Sequence, residues 1–126
     1  MTLADRLLPW LLAFAFTQLV EVPIYRRALD GRTLVAFGAS TITHPVVWFV
    51  FPWLFARFVP LGFAPGEHGQ FWHYWTMVAA AETFAVGVEA LWLAAFGLPR
   101  ALLWSLLANA SSLGLGLLSR WLFGYP

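Results

Sequence analysis

Four stretches of this sequence, at about residues 7–25, 33–57, 71–97 and 100–123, are each apolar over the roughly 20 residues that a helix needs to cross a hydrocarbon core. The first carries no charge until Glu21, and the third holds only Glu82 and Glu89. Thr33 to Ala56 and Ala101 to Ser119 contain no Asp, Glu, Lys or Arg. None shows the sustained apolar/polar alternation of a barrel strand. With 61% hydrophobic and 10% charged residues in 126, no water-soluble fold of this size hides the apolar surface. A soluble domain and a disordered segment are thereby excluded. A net charge of +1 gives no field for nucleic acid. The absence of cysteine removes disulfides, thiolate metal sites and redox dithiols. The sequence predicts an all-α integral membrane protein, a four-transmembrane-helix bundle forming a single transmembrane domain over residues 1–126, with the lipid bilayer as its first partner. The first span reads as a retained helix, since no small-residue cleavage site precedes a soluble domain.

The connections are short, as antiparallel neighbours require. Arg26 to Arg32 forms a tight basic turn. In Gly97-Leu98-Pro99-Arg100, Gly is placed to end one helix and Pro to start the next. The middle connection, about residues 57–70, holds Pro60, Gly62, Pro65, Gly66 and Gly69. Around it Leu61, Phe63, Phe71, Trp72, Tyr74 and Trp75 form an aromatic-rich belt at headgroup depth. Arg26, Arg27, Arg32 and Arg100 outnumber Arg6, Arg57 and Arg120 on the other side, which favours loops one and three on the cytoplasmic face. Use of Arg without any Lys, beside much Leu, Ala and Trp, suits a GC-rich genome and a bacterial inner membrane.

The two halves of the chain can be laid over each other. Glu21 is followed eleven residues later by Arg32, and Glu89 eleven residues later by Arg100. Continuing from each Glu, Thr41 matches Asn109, Thr43 matches Ser111 and His44 matches Ser112. The reading is a tandem pair of helical hairpins related by a pseudo-twofold along the membrane normal.

Ionisable residues inside spans are expensive and are functional candidates by default. Here they are Glu21, His44, Glu82 and Glu89. At about 1.5 Å of rise per residue, His44, Glu82 and Asn109 form a middle layer, with Glu21 and Glu89 nearer the short turns. Gln18 extends the stripe of Glu21, and Thr41 stands three residues before His44. Ser105, Ser112 and Ser119 recur every seven residues on the last span, with Asn109 and Gly116 in the same stripe. Such small and polar residues let helices approach and hydrogen-bond across, so the four stripes face one another as a polar seam. The bland reading pairs Glu21 with Arg32, Glu89 with Arg100, and His44 with Glu82 or Asn109. Glu82, with no Arg near it in sequence, is neutral, or bound to a cation or to His44. Pro45 leaves a carbonyl for Ser40 or Thr41 to satisfy.

Three functions compete. A non-catalytic accessory or assembly subunit would use the seam to order the bundle or to receive a partner helix. An oligomeric ion- or proton-coupled transporter or channel would use Glu82 and His44 at mid-membrane. Such a small chain is expected to act as a homo-oligomer or with another membrane protein. A metal-dependent enzyme would take His44 and Glu82 as ligands, with Glu21 or Glu89 beside them. No H-E-x-x-H, G-x-S-x-G or nucleotide-loop motif supports a catalytic residue or a cofactor.

Overall fold

The structure is a computed structural model describing residues 3–59 and 68–124. Pro60, Leu61, Gly62, Phe63, Pro65 and Gly66 of the middle connection lie outside the described residues. Helix α1 (Leu3–Ala28) forms the first span. The second is α2 (Thr33–Pro45), a π-helical turn (Val46–Val50) and α3 (Phe51–Phe58). Helices α4 (Gly69–Ala95) and α5 (Ala101–Phe123) form the third and fourth. All four are long and apolar enough to cross a membrane, and the chain is a multi-pass membrane protein.

Around the bundle the order is α1, α2, α4, α5: α1 packs on α2 and α5, and α4 on α5 and α2. Large apolar side chains point outward, with Leu34 87% exposed, Trp121 81% and Leu19 76%. Glu21, Glu89, Ser40, Thr43, Ser105 and Asn109 are buried instead. The pattern is a soluble bundle turned inside out, as expected where the solvent is hydrocarbon and apolar burial drives nothing.

Both short turns close by a carbonyl accepting from the amide five residues on: Gly31 donates to Arg26 at 2.9 Å and Leu98 to Leu93 at 3.0 Å. The left-handed position falls on Asp30 in the first turn and on Gly97 in the second (φ 52° and 82°). The second is a Schellman motif, with buried Leu93 and Leu98 in the expected apolar contact. Pro99 stands in the turn, and Arg100, itself left-handed at φ 57°, precedes the first helical residue. Arg32 donates through Nη1 to the Phe96 carbonyl at 2.9 Å, tying one turn to the other. With Tyr25, Leu29, Leu93 and Leu98 buried behind them, the turns seal this end of the bundle.

The second span is interrupted where one continuous helix is expected. Pro45 has no N–H to give Thr41 and its ring crowds that carbonyl. The ladder resumes late, with the Phe51 amide on Val46. Neither predicted side chain caps the freed carbonyl: Thr41 Oγ1 donates to Phe37 O at 2.7 Å, and Ser40 serves Glu21. Beyond the π turn the span leans on α4, and the bundle opens at the end away from the short turns.

The hairpin repeat is visible in matched bonds. Helices α2 and α5 begin at the same spacing from Glu21 and Glu89. Gln18 Nε2 donates to Phe37 O at 3.2 Å, and Ser105 Oγ to Val86 O at 2.8 Å. These are equivalent position pairs, 19 residues apart in both hairpins, with the donor exchanged.

A Cβ at Gly38 would stand 2.7 Å from Trp92 Cζ2, and Trp92 Nε1 donates to Val35 O at 2.9 Å. Gly38→Ala must tilt the ring off that bond and is expected to destabilise the bundle by about 1–3 kcal/mol. Gly87→Ala, whose Cβ meets nothing within 4 Å, is expected to leave thermal unfolding in detergent unchanged.

Candidate functional site

Two carboxylates organise the interior. Glu21, 1% exposed, accepts from Ser40 Oγ of α2 and from Ser112 Oγ of α5 at 2.5 Å. Glu89, also 1% exposed, accepts from Thr43 Oγ1 of α2 at 2.6 Å, Asn109 Nδ2 of α5 at 2.9 Å and Tyr25 Oη of α1 at 2.5 Å. Each Glu thus takes one donor from its own hairpin and at least one from the other. The exchange is crosswise, and every donor named is a hydroxyl or an amide.

The predicted ion pairs do not form. Arg32 gives its guanidinium to the Leu29 and Phe96 carbonyls rather than to Glu21. Glu89 is satisfied by Thr43, Tyr25 and Asn109 rather than by Arg100. Both Arg residues sit at the turns, near the membrane surface where charge is cheaper, while the carboxylates lie one to two turns deeper. The middle layer is corrected likewise. Asn109 belongs with Glu89, and its Nδ2 also reaches Ser105 O at 3.0 Å. Counted from the turn between α4 and α5, Asn109 and Glu89 come to similar depth; counting from span centres hid this.

His44 pairs with neither Glu82 nor Asn109. Its ring is boxed by Phe14 at 5.3 Å, Trp48 at 6.2 Å and Trp10 at 6.4 Å between centroids. Its Nδ1 is buried without a hydrogen-bond partner. Glu82 is half-buried and, among the described residues, has no hydrogen-bond partner. Thr41 is exposed and accepts from Gln18 Nε2 at 3.2 Å. Ser105 serves packing through Val86 O.

Glu21, His44, Glu82, Glu89, Asn109 and Ser112 line one cavity of about 240 Å³, and Gln18, Thr41 and Ser105 lie outside its lining. Glu21, Glu89, Asn109 and Ser112 form its floor, with Glu82 and His44 on its walls. Trp48, Tyr74 and Arg120 line it toward the opposite end, where Tyr74 and Arg120 are exposed. Pro45 and the π turn deliver Trp48 to this lining, in keeping with the frequent placement of π turns at functional sites. Among the described residues no three His, Asp or Glu side chains converge as a metal site needs. Sequence reasoning passed over Tyr25, Ser40 and Thr43 as site residues. Tyr25 stands one turn after Glu21 on the same helical face, a spacing that signals shared orientation.

Tyr25→Phe removes one hydroxyl from Glu89 and from Asn109, which donates to it at 3.3 Å, while keeping the ring. The expected loss is about 1–3 kcal/mol of stability, that of a buried acceptor losing a donor, read by thermal or denaturant unfolding in detergent. Ser40→Ala and Ser112→Ala, which share Glu21, are expected to combine non-additively, with a coupling of about 0.5–3 kcal/mol in a double-mutant cycle. No known protein family, characterised protein or solved structure matches this chain, and what the cavity can do follows from its lining.

Proposed function

We propose that the chain is a cation-handling carrier or channel subunit, taking a proton or another small cation into the cavity at Glu82 and passing it to the Glu21–Glu89 floor. One observation carries this reading. The polar seam is not packed solid but borders a partly open cavity lined by three carboxylates, with Arg120 the one Arg on its lining, at the exposed end. Glu21 and Glu89 both line the cavity floor, so two carboxylate charges would share one small space. Neutral donors spread that charge without cancelling it, and in a low-dielectric interior the remainder calls for a bound cation, the proton included. A seam whose only task was to order helices would have no use for the void.

The excess of Arg at the two short turns favours those turns on the cytoplasmic side of a bacterial inner membrane. The cavity then faces the outside, with Tyr25 and its apolar neighbours as the inner seal. Four helices enclose little space, which favours a homo-oligomer. The metal-dependent enzyme loses support, since its ligands do not converge among the described residues.

The second reading is the accessory or assembly subunit. It is favoured by a shallow apolar groove on the outer face of α4, where Gly87, Ala90 and Ala94 leave room beside Phe84 and Leu91. Small residues on a lipid-facing surface let another helix approach closely.

Reconstituted in vesicles under a pH gradient, the protein is expected to pass cations, and Glu82→Gln to lower the flux about tenfold or more while the protein stays monodisperse. Unchanged flux in Glu82→Gln refutes the reading. No flux together with stoichiometric capture of another membrane chain favours the accessory role.

A further inference from the structure

Beside the polar cavity lies a second space of about 360 Å³. It is bounded by the π turn and α3, by α4, and by Leu113 and Leu117 of α5, with Trp48, Phe51, Trp75, Met77 and Val78 on its walls. After Pro45 the second span stays against α4 through the π turn and α3, and the space opens between them. The two spaces are continuous in their lining: Trp48, Tyr74, Glu82 and Arg120 belong to both. Glu82 therefore stands at the junction of an acidic chamber and an aromatic one. It is also the one cavity carboxylate without a hydrogen-bond donor among the described residues.

We propose that the two spaces hold one ligand together, an amphipathic organic cation whose charged nitrogen lies against Glu82 and whose apolar body fills the chamber of Trp48, Phe51, Trp75 and Met77. This rests on the cation-handling reading above and names the class of cation. Charge complementarity selects the sign: three carboxylates line the polar side, and Arg120 is exposed at the end. The aromatic walls select the body, because indole and phenyl faces attract a cation's apolar shell as well as its charge. Beyond Glu82 and Tyr74, which it shares with the polar cavity, the second chamber offers a hydrated inorganic ion no side-chain oxygen. A purely apolar molecule would leave Glu82 without a counter-charge.

The test uses the full chain in nanodiscs and isothermal titration with three probes. Benzyltrimethylammonium carries both features. Tetramethylammonium keeps the charge without the ring, and neopentylbenzene is the neutral shape of the first. Benzyltrimethylammonium is expected to bind about tenfold or more tighter than either of the others. Glu82→Gln is expected to weaken it by about tenfold or more, and Val78→Trp, which fills the apolar chamber, by a similar factor. The comparison of probes on the unmodified protein stands even if a variant fails to fold. Equal binding of tetramethylammonium, or no effect of Val78→Trp on a folded protein, overturns the aromatic chamber and leaves the cation reading intact. Equal binding of neopentylbenzene overturns the proposal in favour of a lipid-filled chamber. Cation flux that depends on Glu82, without binding of either ammonium probe, overturns the ligand class alone. Absence of both flux and binding overturns the function with it.

Discussion

A carboxylate deep in a bilayer-spanning bundle has to find its partners among the helices around it, and the interior of this protein is arranged by that need. Glu21 and Glu89 draw hydroxyl and amide donors from the neighbouring spans. Those bonds set which face of each helix turns inward and how far each is shifted along its neighbour. Apolar side chains cannot do this work in lipid, where an outward Leu is as well solvated as an inward one. The small residues Ala36, Ala39, Ala101 and Ala108, all buried, bring the backbones near enough for short donors such as Ser40 and Thr43 to reach.

The crosswise exchange gives the hairpin repeat a physical meaning. Each hairpin supplies the other's carboxylate, so neither half is self-sufficient. The symmetry is kept in the positions and broken in the chemistry. Where Gln18 reaches across in one hairpin, Ser105 reaches back in the other. Tyr25 extends to Glu89 while Leu93, at the equivalent place, is buried in the apolar seal. That asymmetry leaves the two carboxylates unequal, Glu89 with three donors and Glu21 with two.

The four spans, the short turns and the inward stripes of the first and last spans were legible in the sequence because each is a local property of composition or of helical spacing, whereas the second span turns Ser40 and Thr43 inward and leaves Thr41 exposed. Pairing was not, for reasons that are also physical. Glu21–Arg32 and Glu89–Arg100 look natural by separation, but side chains at the turns have carbonyls to serve, and Arg32 takes that of Phe96. The grouping of Asn109 with His44 failed because depth along one helix says nothing of the shift between helices. In the sequence Ser40 stands as a proline accommodation and Thr43 as a repeat match, since a short hydroxyl shows its partner only once the neighbouring helix is in place. The π turn follows from Pro45, yet its consequence, a widened end with Trp48 turned toward the cavity, depends on where α4 and α5 stand.

The divided donor set also bears on how the protein is made. A chain that enters the bilayer from its N-terminus presents α1 and α2 first. At that stage Glu21 has Ser40 but not Ser112, and Thr43 has no carboxylate to serve. Alone, the first hairpin leaves its polar groups half satisfied, and α4 and α5 complete both carboxylates together. Each hairpin is the other's missing half, so closing the bundle takes both.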